Sequence, residues 1–339
     1  MQDQTVAQVV ALDAGVPFQD HALIGRAAAI PISAPSPVVS VSPVMLSVPG
    51  RIVNLQLRVS APTTGRDLPI ILLSHGHGRS NNLSSLNGYG PLAQFWAAHG
   101  FVVIQPTHLS SKSLSLDPDT PGAPLFWRSR IEDMKHILDQ LDLLEASVPG
   151  LAGRLDRNRI AVAGHSMGGQ TASMLLGARL TAPEDGTVVD MAEPRIRAGI
   201  LLAAPGAGGS DLSAFAAEHY PFFLHISFAE MTKPMLVIAG DEDVSPHLTV
   251  RGADWHTDPY TLSPGPSCLL TMFGGKHGLG GIAGYDAAET TDESPERVAA
   301  VQRLSWAYLR SALYPEDPAW PVACAALKRL DALGRIECK

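Results

Sequence analysis

The stretch Gly164-His165-Ser166-Met167-Gly168-Gly169 constrains this chain more than any other. Before it, Arg159-Ile160-Ala161-Val162-Ala163 reads as a buried strand. After it, Gln170-Thr171-Ala172-Ser173-Met174-Leu175-Leu176 reads as a helix. A backbone that passes from strand to helix in so few residues turns sharply at Ser166, and Gly164 and Gly168 remove the Cβ atoms that would obstruct the turn. In that context G-x-S-x-G marks a nucleophilic serine, and the first N–H groups of the helix face any negative charge developing beside it. A glycine-rich turn without chemistry is the competing reading. The strand and helix on either side weigh against it.

A serine hydroxyl needs a base to take its proton, and the base needs an acid to orient it. With the serine on a strand–helix turn the expected chain order is Ser, then Asp or Glu, then His. Both partners are expected just beyond buried strands, at the carboxyl edge of a parallel sheet. Two positions fit. Met235-Leu236-Val237-Ile238-Ala239 is followed by Gly240-Asp241-Glu242-Asp243-Val244, and Cys268-Leu269-Leu270-Thr271-Met272-Phe273 by Gly274-Gly275-Lys276-His277-Gly278. His277 is the expected base. Asp241, Glu242 and Asp243 compete as the acid; Asp243 is preferred because the acid sits a short turn beyond its strand, whereas Asp241 suits bonding of local N–H groups. Asp254-Trp255-His256-Thr257-Asp258 reads as a surface or rim loop, with Asp254 and Asp258 as outside candidates.

The oxyanion of an acyl-transfer intermediate needs two N–H donors. One is expected from Met167. The other is expected from Ser74-His75-Gly76-His77-Gly78, directly after the apolar run Pro69-Ile70-Ile71-Leu72-Leu73, which points to the N–H of His77. A metal on His75 and His77, or on Asp254–Asp258, is the weaker reading, since no further acidic or cysteine ligands accompany the first pair. His108 reads as an ordinary loop histidine.

The remaining pattern gives the fold class. Val38 to Val48 and Ile52 to Val59 alternate apolar and polar positions, as half-exposed antiparallel strands joined at Pro49-Gly50 do. Helices are expected over Pro91–His99, Trp127–Ala146, Pro295–Leu313 and Pro321–Leu333. Buried strands are expected at Phe101–Ile104 and Ala198–Ala203. Strands that alternate with helices imply an α/β protein with a mostly parallel central sheet and helices on both faces. Residues 1–36 read as an N-terminal extension packed on the domain, 37–314 as one catalytic domain, and 315–339 as a helical tail. Stretches near 105–126 and 206–232 interrupt the rhythm and are expected to wall or cover the site.

Composition excludes several partners. The formal charge of −8 over 339 residues disfavours nucleic acid, and no apolar run reaches the length of a membrane span. Met1-Gln2-Asp3-Gln4-Thr5 lacks a basic segment and a following apolar core, so the expected location is cytoplasmic, with export the alternative if a leader was removed. Cys268, Cys324 and Cys338 are too few for a disulfide framework or zinc site. Cys268 reads as a core residue, and Cys324 with Cys338 as the candidate pair.

Leu73-Ser74-His75-Gly76-His77-Gly78, Ala98-His99-Gly100-Phe101-Val102-Val103 and Gly164-His165-Ser166-Met167-Gly168-Gly169 together resemble serine esterases of the α/β-hydrolase superfamily. The likeness covers about residues 68–313 and is to the chlorophyllase and cutinase-like branch, which includes polyester hydrolases. It implies an α/β-hydrolase fold, Ser166 as nucleophile, Asp243 as acid, His277 as base, and His77 and Met167 as oxyanion donors, with no cofactor. The first half also resembles platelet-activating factor acetylhydrolases. Those carry the acid right after the strand that follows the nucleophile, where Ala203-Ala204-Pro205-Gly206 has none. Polyester hydrolases resembling this branch have a tryptophan soon after that same strand, where Gly206-Ala207-Gly208-Gly209 stands here. The expected activity is hydrolysis of uncharged, moderately hydrophobic carboxylic esters. Amidase, lactonase, acyltransferase or polyester and phthalate-ester activity on the same residues is the enzymatic alternative, and an idle hydrolase fold used for binding is the non-enzymatic one. The sequence does not specify the oligomeric state.

Overall fold

A computed structural model describes residues 21–339. In chain order its strands are β1 (Val38–Leu46), β2 (Leu55–Pro62), β3 (Leu68–Ser74), β4 (Val102–Thr107), β5 (Leu155–His165), β6 (Arg179–Thr181), β7 (Val188–Asp190), β8 (Ile196–Leu202), β9 (Ile226–Ser227), β10 (Met235–Gly240), β11 (Ser267–Met272) and β12 (Gly334–Cys338). Successive side chains of a strand point to opposite faces, and here both faces are apolar. Ile70 and Leu72 of β3 enter one core, with Ile131, Met134 and Ile137 of the helix Trp127–Asp139 and Met174 and Leu175 of the helix Met167–Leu176. Ile71 and Leu73 enter the other, with Leu92 and Trp96 of the helix Gly90–Ala98 and Val301 and Leu304 of the helix Pro295–Leu313. The same alternation runs through Ile160 and Val162 against Ala161 and Ala163 in β5. The result is an α/β layer structure with helices on both faces.

Nine strands form one sheet in the order β1-β2-β4-β3-β5-β8-β10-β11-β12. The run from β4 to β11 is parallel, and β1, β2 and β12 pair antiparallel at its edges. The sheet is therefore mixed around a parallel centre. β6, β7 and β9 make a separate three-stranded sheet that the sequence reading did not foresee. Residues 1–20 of the expected N-terminal extension lie outside the described residues. Of the rest, Ala27 and Ile30 are buried, Glu296 accepts from the Arg26 N–H at 2.7 Å, and the Ile30 carbonyl accepts from Arg303 at 2.6 Å, so this segment packs on the helix Pro295–Leu313.

Two expected helices and the expected cysteine pair differ from the structure. The helix expected over Trp127–Ala146 breaks at Gln140 (φ −115°, ψ 22°) into Trp127–Asp139 and Leu141–Ser147, while its apolar face continues through Leu138, Leu141 and Leu144. The helix expected over Pro321–Leu333 runs from Ala319 to Leu327, and the chain then turns back as β12 along β11. That strand overturns the cysteine assignment: Cys338 lies directly opposite Cys268 in the antiparallel register and is bonded to it. Cys324 is the free, half-buried thiol, pushed up to about 11 by burial.

Candidate active site

β5 ends at His165 and the helix begins at Met167, so Ser166 alone makes the turn, at φ 55° and ψ −122°. Positive φ is costly for a residue with a Cβ and persists only where the surroundings enforce it. The surroundings here are close. A Cβ on Gly164 would strike the Gly168 carbonyl, and one on Gly168 would strike the Ser74 carbonyl at the end of β3. The Ser166 N–H is held by Leu202 O of β8 at 2.9 Å. Met167, as the first helical residue, has an N–H with no partner inside the helix.

Asp243 and His277 come from the turns after β10 and β11, as adjacent parallel strands require. His277 Nδ1 lies 3.1 Å from Oδ1 and 3.0 Å from Oδ2 of Asp243. The carboxylate is fully buried and the imidazole 35% exposed. Burial opposes ionisation of Asp243, but the His277 hydrogen bond and the neighbouring histidines outweigh it and hold the carboxyl below its ordinary range. An ionised Asp243 accepts Nδ1–H, which leaves His277 Nε2 without a proton, the form a base requires. The rival acid Asp241 is used elsewhere: its Oδ1 accepts the Gly274 N–H at 2.7 Å and braces the turn that carries His277. Glu242 is exposed. Asp292 cradles the far side of that turn, accepting from Lys276 N–H at 2.9 Å and Gly280 N–H at 3.0 Å.

Ser166, Met167, His77 and His277 line one cavity of about 420 Å³. Leu125 enters its wall from the 105–126 stretch, and Tyr220 and Phe223 from the 206–232 stretch, so both interruptions reach the site. Val244, Leu248 and Pro205 add apolar surface, and Arg79, Ser245, His247, Glu289 and Thr291 place polar groups on the same wall. A larger cavity of about 790 Å³ opens elsewhere, lined by Arg51, Trp127 and His136 among others. It contains neither Ser166 nor His277, so chemistry and not volume selects between the two. Desolvation by burial lowers the pKa of His77 to about 4, with Arg130 adding to the effect, so its side chain is neutral near pH 7.

The segment Asp254–Asp258 is not the surface or rim loop expected. Trp255, His256 and Asp258 are buried, and only Asp254 is well exposed among its acids. Asp258 accepts from the Ala207 N–H at 2.9 Å and pairs with Arg251 at 2.8 Å, fastening the start of the 206–232 stretch. His256 stands behind the acid. Its Nδ1–H donates to Ala204 O at 2.9 Å, its Nε2 accepts from the Ser245 hydroxyl at 3.1 Å, and that Nε2 is 3.4 Å from Asp243 Oδ2. Burial lowers the His256 pKa, with Asp243 opposing. Among the described residues, Asp243, His256 and His277 form a group with ligand atoms within 4.8 Å of one another. The Asp243 and His277 atoms concerned face each other across a hydrogen bond.

His108 is likewise no ordinary loop histidine. It is fully buried, with Nε2 2.9 Å from Ser74 Oγ and Nδ1 2.9 Å from Asp133 Oδ2. Burial, Arg130 and Arg51 keep it neutral, so Nδ1–H donates to Asp133 and the Ser74 hydroxyl donates to Nε2. Arg51 closes the far side of Asp133 at 2.9 Å. Buried Arg130 donates to the His75 carbonyl, to Ser74 Oγ at 3.3 Å and to Thr171 Oγ1 at 3.1 Å. Desolvation lowers its pKa to about 9, which leaves it charged near neutrality. These groups support the turn that carries His77. Arg130 and Asp133 lie three apart on the helix Trp127–Asp139, a spacing that puts two charges on its buried side beside Ile131 and Met134 and is the signal the sequence carries.

Comparison with protein-family models and with curated proteins gives no match to this chain.

Proposed function

We propose that this chain is a serine hydrolase of carboxylic esters, built on an α/β-hydrolase arrangement. One observation carries the reading: Ser166, held at positive φ on a strand–helix turn, lines the same largely apolar cavity as His277, whose Nδ1 is hydrogen-bonded to buried Asp243 behind it. The chain order Ser, Asp, His and the origin of each from the end of a parallel strand support it. Ser166 Oγ attacks the ester carbonyl as His277 Nε2 takes its proton, and Asp243 stabilises the imidazolium that forms. The N–H groups of Met167 and His77 receive the oxyanion. His277 then protonates the leaving alcohol, and water activated by the same imidazole releases the acid and frees Ser166.

The wall of Leu125, Met167, Tyr220, Phe223 and Leu248 suits an uncharged, moderately hydrophobic ester, and the proposed chemistry uses no cofactor. The Cys268–Cys338 bond favours the exported alternative over the cytoplasm, since disulfides persist in oxidising compartments. A fluorophosphonate probe should label the protein once, and Ser166→Ala should abolish both labelling and p-nitrophenyl ester hydrolysis while leaving the melting curve in place. More than a few per cent of wild-type activity in that variant refutes the assignment.

A further inference from the structure

The residue just before the proposed nucleophile takes part in a chain of hydrogen bonds that the chemistry above does not use. The Gly76 N–H lies 2.9 Å from the Tyr89 hydroxyl oxygen, that oxygen lies 2.7 Å from His165 Nδ1, and His165 Nε2 lies 2.7 Å from the main-chain carbonyl of His277. Direction follows from the last link. A carbonyl only accepts, so Nε2 carries the proton. Burial drives the His165 pKa down to about 3, so the ring is neutral and Nδ1 has a free lone pair. Tyr89 therefore donates its O–H to Nδ1, and its oxygen accepts from Gly76. Burial also raises the tyrosine pKa, which keeps that proton in place. Tyr89 and His165 are 1% and 2% exposed, so water does not compete for these bonds. Tyr89 itself is held at φ 60°, immediately before the helix Gly90–Ala98, and its own N–H is taken by Ala283 O at 3.0 Å.

The chain spans the three parts that catalysis needs in register. Gly76 precedes His77, the proposed oxyanion donor; His165 precedes Ser166; and the final acceptor belongs to His277. We propose that Tyr89 and His165 are positioning residues, a strut that sets the distance between the turn carrying the oxyanion donor and the turn carrying the base. The proposal rests on the esterase reading. Hydrogen-bonded chains in a low-dielectric interior polarise one another, and loss of one member leaves the others buried without partners.

The test uses the intact protein and rates normalised to the fraction labelled by a fluorophosphonate. Tyr89→Phe and His165→Leu should lower kcat per labelled site roughly ten- to a hundredfold, with KM for a short p-nitrophenyl ester changed less than about threefold. His165→Gln should recover to within about threefold of wild type, since its amide can donate to the His277 carbonyl and accept from Tyr89. A residue that only packed would change the labelled fraction and the melting temperature and leave kcat per labelled site alone. Wild-type kcat per site in Tyr89→Phe, or a glutamine variant no better than the leucine one, overturns the strut. If His165→Leu does not fold, Tyr89→Phe and His165→Gln decide. A wild-type protein that neither labels nor hydrolyses any ester would sink the esterase reading instead. The strut is then judged by histidine-selective NMR, where Tyr89→Phe should shift the His277 ring resonances and an unchanged spectrum overturns it.

Discussion

Replacing Asp243 by asparagine should cost less here than the same change does where the acid has one histidine neighbour. In a serine protease the amide turns its NH₂ toward the base, imposes the wrong tautomer, and lowers kcat about 10⁴-fold. In this chain the two carboxylate oxygens are not equivalent. Oδ2 lies 3.4 Å from His256 Nε2, and that nitrogen is a lone-pair acceptor because Nδ1–H is already given to Ala204 O. An asparagine with its NH₂ turned to that nitrogen, in place of the Ser245 hydroxyl that occupies it in the wild type, keeps its oxygen at the Oδ1 position, 3.1 Å from His277 Nδ1, provided the amide rotates its NH₂ off the Nδ1–H that Oδ2 meets at 3.0 Å. The productive tautomer then survives, and the losses are the charge and the Ser245 contact. A unit charge about 4 Å from an imidazolium is worth about 4 kcal/mol at an effective dielectric constant of about 20, or about three powers of ten in rate. His277 is 35% exposed, which screens part of this. We expect kcat for p-nitrophenyl butyrate, per titrated active site, to fall about 10²- to 10³-fold in Asp243→Asn. His256→Leu alone should cost less than about tenfold. The double variant should lose at least a further tenfold beyond Asp243→Asn, because the amide is then free to face His277. A single variant within tenfold of wild type would remove Asp243 from the acid role. A double variant no slower than Asp243→Asn would refute the part assigned to His256.

Three further outcomes follow from named contacts. Asp241→Asn should leave kcat within about tenfold and lower the melting temperature slightly, since Asp241 braces Gly274 and does not reach His277; a rate collapse equal to that of Asp243→Asn would reverse the two roles. Dialysis against EDTA should leave the ester hydrolysis rate unchanged, because the proposed chemistry runs through Ser166, His277, Asp243 and two backbone N–H groups; a loss restored by zinc would assign Asp243, His256 and His277 to a metal. Cys338→Ser opens a loop of sequence separation 70. The chain-entropy relation gives about 4 kcal/mol, or about 6 °C in melting temperature for a chain of this length, with activity retained below it. An unchanged melting temperature under non-reducing conditions would show that the β11–β12 pairing holds without the bond.

Legibility in the sequence followed the range of the interactions. Ile70 to Leu73 and Ile160 to Ala163 are apolar on both faces, so the central strands could be read from the chain alone, and the helix Pro295–Leu313 starts and ends where its proline and apolar spacing predict. Ser166, Asp243 and His277 stand out because short motifs follow such strands. What was misread depends on partners far along the chain. Cys338 finds Cys268 only through an edge strand of five residues, in which Ile336 is the lone large apolar side chain. His256 and His108 look like loop histidines until Ala204, Asp243, Ser74 and Asp133 are brought around them. The break at Gln140 has no signal in the apolar periodicity, which runs through it unchanged.

Ser74, His108 and Asp133 have a consequence for how enzymes are found by shape. A search template of serine, histidine and aspartate contacts, laid over this protein, matches that set with both hydrogen bonds at 2.9 Å. Yet Ser74 and His108 are 0% exposed and Asp133 1%, so no substrate or water reaches the hydroxyl. Ser74 ends an ordinary strand and lacks the positive φ of Ser166. The same polarised triplet that activates an oxygen at a surface serves here as internal bracing. Distances alone therefore give such a search a decoy in this fold, and a filter on solvent access and backbone torsion removes it.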